Sequence, residues 1–333
     1  MAPYSELREH VLDTLWSQWH ELGVAATVPR RHSDDFIDPE PLIAFTAIHG
    51  DLDPRLRDES IDWVLSYGTY ISKARLKNVL QSWGRLEDPR FREYAATVNA
   101  HGGAGWAAAN AKPLAFRPRH RSLLEDLTRP SLISLRIRAI FGVGARAELI
   151  RAFLSRPRSA MTAADLSSET SYGKRNVLNE LEPLRFAGVL TSFRATNSDR
   201  FSLARADLVE ALVGRLPTRF TRWSQTFAVL DAFLELARQS TKRSALQNAV
   251  YAVRLLQERK DLFASAEIYP TLLPSGPQAW PVFMEWAVEH ARSIAAGGAP
   301  LRRAEGDLLE VVPVRMPKGK RLPSALVNKG RGG

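Results

Sequence analysis

The stretch MTAADLSSETSYGKRNVLNELEPLRFAGVL, residues 161–190, decides how this chain is read. It holds two helical patterns separated by a short polar break. Thr162 stands where an N-cap is wanted, ahead of AADLSSET, whose Ala163, Ala164 and Leu166 can pack inward. After the break Ser171-Tyr172-Gly173, the residues Val177, Leu181, Leu184 and Gly188 follow at helical spacing. They make one apolar stripe closed by a glycine.

The flanks extend the pattern. Upstream, Leu149, Ile150, Phe153 and Leu154 share one helical face. Downstream, VLTSF and RFSL are short β-prone runs around RATNSD, in which Asn197, Ser198 and Asp199 are turn formers. Helix, helix, turn, helix, hairpin is the resulting order.

Over about residues 144–204 this order resembles the winged helix-turn-helix of bacterial transcriptional regulators of the MarR-like kind. The resemblance implies that the third helix enters the major groove of duplex DNA and that the hairpin touches backbone or minor groove. The chain departs from the usual pattern at Ser171, where a glycine is commoner, and at Pro183. A proline inside a helix costs about 3 kcal/mol unless the helix kinks or ends there. A bend near Asn179 to Glu182 is therefore expected, with the first two turns untouched.

Lys174, Arg175, Asn176 and Asn179 lie off the apolar stripe. Arg and Lys suit guanine edges or phosphates and Asn suits adenine, so this face has the chemistry of groove readout. Arg194, Asn197 and Arg200, around the hairpin turn, suit phosphate or a narrow minor groove. With Thr162, at the start of the first helix, and Tyr172, in the break before the second, these make the expected DNA-binding set. The competing reading is a packing module with solvated charges, which Asp165, Glu169, Glu180 and Glu182 favour because acids repel phosphate.

Charge placement agrees with a nucleic-acid partner. The net charge is +10, and Lys plus Arg outnumber Asp plus Glu by 14 to 8 in residues 131–220 and by 6 to 0 in 311–333. Residues 1–130, with 16 bases against 18 acids, and 221–310, with 10 of each, carry no excess. A basic segment in an otherwise neutral chain is the footprint of phosphate binding. Arg outnumbers Lys 37 to 9, a bias that genome composition also produces, so the clustering carries more weight than the total.

The rest of the chain is helical in pattern. Leu7, Val11, Leu15 and Trp19 recur every four residues, and further helices are expected at 41–49, 58–67, 72–83, 89–100, 206–213, 221–238, 244–263 and from Pro281. Residues 101–120, rich in Gly, Ala and Pro, read as a surface connection. In SIDWVLSYGTYISKARLKNVLQSW, residues 60–83, Lys73, Arg75 and Lys77 read as the solvated basic edge of an αα-hairpin, ahead of a degenerate second helix-turn-helix.

No catalytic or metal motif emerges. HGGAGW has no accompanying G-x-S-x-G, phosphate-loop and H-E-x-x-H patterns are absent, and with no Cys there is neither thiol nucleophile nor thiolate metal site. His32 with Asp34, Asp35 and Asp38, and His49 with Asp51 and Asp53, fit turn chemistry and capping better than cation binding.

The expectation is a mainly α protein with a central winged helix-turn-helix: an N-terminal helical domain (1–125), the winged unit (130–205), a C-terminal helical domain (206–298) and a disordered basic tail (311–333). It is expected to be cytoplasmic, without enzymatic activity, metal or cofactor. Its expected role is sequence-specific binding of double-stranded DNA as a homodimeric transcriptional regulator, a repressor. The alternative is an antitoxin-type interaction protein that binds a partner protein and autoregulates through the winged unit.

Overall fold

The computed structural model describes residues 3–102, 105–106, 111–195 and 197–298, so the expected tail 311–333 lies outside the described residues. The chain is mainly helical, with one small antiparallel sheet. The first segment forms α1 (Pro3–Glu21), α2 (Pro39–Ile48), α3 (Pro54–Tyr67), α4 (Lys73–Ser82) and α5 (Pro89–Ala100). Proline opens α2, α3 and α5, where its missing N–H and fixed φ cost nothing. Asp53, Ser72 and Asp88 cap α3, α4 and α5 by accepting from backbone N–H groups of the first turn.

The central segment forms α6 (Ile133–Phe141), α7 (Ala145–Ser155), β1 (Met161–Thr162), α8 (Ala163–Thr170), α9 (Lys174–Phe186), β2 (Leu190–Ala195) and β3 (Ser198–Leu203). Then follow α10 (Ala206–Val213), α11 (Trp223–Arg238), α12 (Ala245–Glu258), α13 (Lys260–Ser265) and α14 (Ala279–Ala295). The helix expected over 244–263 is broken at Arg259, and the last helix starts two residues before Pro281.

The flanking segments pack on each other. The Leu7, Val11, Leu15, Trp19 stripe of α1 is fully buried, and α1 lies along α14 while α2 packs on α4 and α11. Trp19 stands edge-on to Trp63 with ring centroids 5.6 Å apart and donates its indole N–H to Thr46 Oγ1 at 2.9 Å. One apolar core runs on from these helices into the central segment.

Residues 101–120 are more than a surface connection. Trp106 is buried, and Asn99 bonds both its N–H and its carbonyl. The Asp62 carboxylate accepts the backbone N–H groups of Arg119, His120 and Arg121 at 2.7, 2.8 and 3.0 Å. A segment without regular structure leaves its N–H groups unpaired, and here a side chain satisfies them. Burial opposes ionisation of Asp62, and the three donors outweigh it, so the carboxyl stays below the usual carboxylate range.

In the sheet, β3 is central, with β1 and β2 antiparallel on either side; Met161 pairs with Phe201 and Leu190 with Leu203. These four side chains are buried under the sheet beside Val177, Leu181 and Leu184 of α9. Among the described residues no helix is long and apolar enough to cross a membrane.

Candidate nucleic-acid interface

Helix α8 begins on a reciprocal cap. Thr162 Oγ1 accepts the N–H of Asp165 at 3.2 Å, and the Asp165 carboxylate accepts from the Thr162 N–H and hydroxyl at 2.9 Å each. The Thr162 hydroxyl is thus committed to its own helix. Ser171 then turns the chain in the left-handed conformation (φ +58°), the position where glycine is the commoner residue. Gly173, extended, caps α9 without a side-chain bond.

Burial of Val177, Leu181 and Leu184 fixes the rotation of α9. Lys174, Arg175, Asn176 and Asn179 are all exposed, and none of their side chains has a hydrogen bond or ion pair among the described residues. The open N–H groups and positive dipole end of α9 lie beside them. Of the neighbouring acids, Glu180 pairs with Arg146 at 2.9 Å and Glu182 with Arg185 at 2.8 Å, while Asp165 accepts from Thr162 in the cap and stays ionised. The helix runs as one element through Pro183, which sits in its last turn and leaves the Asn179 carbonyl without its N–H donor.

On the hairpin, Arg194 is exposed and lies 3.7 Å from Asp199, across the strand pair. Asn197 is exposed at the turn. Arg200 is half-buried, opposite both Thr162 and Phe193, and donates to the Ala160 carbonyl at 3.2 Å. Phe193 is exposed on that face, and Phe186, at the end of α9, is 93% exposed.

Tyr172 departs from the expected set. Its ring is buried, and its hydroxyl lies 2.6 Å from Ser72 Oγ, the cap of α4, so it is a contact between helices and not a surface donor. Burial also pushes its pKa up. Around it, α4 grips the turn before α9. Asn78 Nδ2 donates to the Ser171 carbonyl at 3.0 Å and Arg75 Nε to the Thr170 carbonyl at 2.8 Å.

Arg75 itself corrects the expected solvated edge, being only 1% exposed. Its guanidinium reaches Asp38 and Glu40; Arg138 bonds Glu40 and Glu148 at 2.8 and 2.6 Å, and Arg151 bonds Glu148 at 2.9 Å. Burial opposes ionisation of Glu148, yet Arg138, Arg75 and Arg151 outweigh it and hold its carboxyl well below the usual range. Three arginines and three acids thus join α2, α4, α6 and α7 next to the turn that precedes α9. Arg138 carried a signal in sequence: it sits in ISLRIRAIF, where a buried face needs an internal partner for any charge.

Comparison with known proteins brings no match. Neither a family model nor a curated protein nor a solved structure corresponds to this chain.

The two His and Asp groups of the sequence are dispersed. His32 bonds Ser17 Oγ at 2.8 Å, Asp35 bonds the Thr221 N–H at 3.0 Å, and Asp38 pairs with Arg75. Asp53 caps α3, and Asp51 pairs with Arg238. His49 Nε2 instead meets Asp231 at 2.9 Å, with Glu235 close by. Arg85 bonds Asp231 at 3.0 Å, and Arg85, Arg90 and Arg238 lie 3.3 to 3.8 Å from Glu235. The guanidinium groups already supply the positive charge this cluster needs.

Proposed function

We propose that residues 145–203 form a winged helix-turn-helix that binds duplex DNA, with α9 in the major groove and the β2–β3 hairpin on the backbone, in a homodimeric transcriptional repressor. One observation carries this: four side chains, Lys174, Arg175, Asn176 and Asn179, stand exposed and uncommitted at the start of α9 while Glu180 and Glu182 on the same helix are paired. Exposed donors of these types read base edges and phosphates. Gel shifts of the purified protein on its own upstream region, over a salt series, test it. Strong, salt-sensitive and sequence-selective binding is expected, and absence of binding at low salt would overturn it.

A second reading, an antitoxin-type interaction protein that binds a partner protein, is favoured by uncovered apolar side chains. Leu208 and Leu212 share a face of α10 and are more than half exposed, and Ile140 and Val143 are uncovered at the end of α6, on which α10 packs. Mass measurement in solution, alone and after co-expression with neighbouring gene products, separates a homodimer from a heteromeric complex.

A further inference from the structure

We propose that α4 is a second DNA-contacting element, with Lys73 and Lys77 on the phosphates beside the groove that α9 enters. This rests on the reading of α9 as the groove reader and adds to it a contact from outside the winged unit.

Three hydrogen bonds lay α4 along the turn before α9. The Ser72 and Tyr172 hydroxyls meet at 2.6 Å, Arg75 Nε donates to the Thr170 carbonyl at 2.8 Å, and Asn78 Nδ2 donates to the Ser171 carbonyl at 3.0 Å. Residues 72, 75 and 78 are spaced by three, so a single side of α4 follows the turn. Lys73 is the chain neighbour of Ser72 and Lys77 that of Asn78, while Lys174 is the second residue after Tyr172. The lysines of α4 and the basic start of α9 thus flank one hydrogen-bonded seam.

The outer side of α4 carries charge of one sign. The helix has no acid, and its Arg75 is buried and answered by Asp38 and Glu40. Its outward charges are therefore Lys73 and Lys77, both exposed and neither with an acid within ion-pair distance among the described residues. Four residues apart, they are neighbours on the helix surface and can meet phosphates of one strand. An ammonium on a flexible stem engages phosphate as a point charge and carries no base preference. Continuity with the α9 face selects as partner the polyanion that α9 itself meets, ahead of an acidic protein surface.

Affinity of the full chain for its own upstream duplex and for a scrambled one, over a salt series, tests the assignment. Lys73→Ala/Lys77→Ala is expected to weaken both duplexes alike, by about tenfold or more, and to flatten the slope of log affinity against log salt by about 2. Lys242→Ala/Lys260→Ala removes the same charge from exposed positions at the two ends of α12 and should leave the slope as it is. All four lysines are exposed, so both variants should fold, which circular dichroism checks. An unchanged slope in Lys73→Ala/Lys77→Ala, with the unsubstituted chain binding DNA, would overturn this proposal alone and leave the α9 reading standing. Equal flattening by the two double variants would overturn it as well, because the effect would then belong to net charge and not to α4. Absence of binding by the unsubstituted chain would overturn the α9 reading and this proposal with it.

Discussion

Tyr172 Oη and Ser72 Oγ lie 2.6 Å apart, which ties the turn before α9 to the cap of α4, one hundred residues earlier in the chain. The same Ser72 oxygen accepts the Arg75 N–H at 3.2 Å, so one hydroxyl serves both the helix start and the inter-helix contact. The turn that leads into α9 is thereby anchored by residues outside its own segment.

Tyr172→Phe removes this bond while keeping the ring in its buried site. A loss of about 1 kcal/mol is expected from chemical unfolding, the ordinary net worth of one such bond. Ser72→Ala should cost more, because it also uncaps α4. Equal losses in the two variants would show that the cap contributes nothing.

Glu40 is fully buried and accepts from the Ser72 N–H, Arg75 and both terminal nitrogens of Arg138. Glu40→Gln leaves the guanidinium charges short of a partner inside the protein. Destabilisation of about 3 to 5 kcal/mol is expected in denaturant titrations. Arg185→Ala, which breaks the exposed pair with Glu182, should change stability by less than about 1 kcal/mol. Similar effects from the two substitutions would contradict the view that burial gives the cluster its weight.

His290 lies buried between Phe233 and Trp286, with neither ring nitrogen hydrogen-bonded, and burial holds its pKa down at about 4. The unfolded chain takes up this proton near pH 6.5 and the folded chain only near 4. Stability is therefore full above pH 6.5, falls as the pH drops from 6.5 to 4, and is flat with respect to this group below that. His290→Leu should be neutral or stabilising at pH 7 and should make the acid loss shallower in that window. His32, also held at about 4 chiefly by burial, keeps its share, so the slope should shrink without vanishing. A slope unchanged by the substitution would show that His290 does not titrate as described.

The periodic features were legible in sequence. Leu7 to Trp19, and Val177, Leu181 and Leu184, are apolar at helical spacing and are buried as spacing demands. The Thr162 cap and the turn at Ser171 were legible too, because capping and left-handed turns depend on a few neighbouring residues. Contacts between distant segments were not. Nothing local to Tyr172 announces Ser72, and Arg75 between Ala74 and Leu76 looks like any charge on a solvated helix until Asp38 and Glu40 come to it from α2. The Asp62 staple escaped for the same reason, since its three backbone donors lie nearly sixty residues away.

The central claim is that α9 reads bases, and it rests on Arg175 and Asn179, four residues apart on one exposed face of that helix. The most direct measurement is the affinity of Arg175→Ala and Asn179→Ala for the protein's own upstream duplex and for a scrambled one, with circular dichroism to confirm folding. Each substitution is expected to cost about 1 to 3 kcal/mol on the specific duplex and little on the scrambled one. Arg194→Ala should weaken both duplexes alike, because a phosphate contact carries no base identity. Unchanged affinity of folded Arg175→Ala and Asn179→Ala for the specific duplex would contradict the account and leave α8 and α9 as two packed helices.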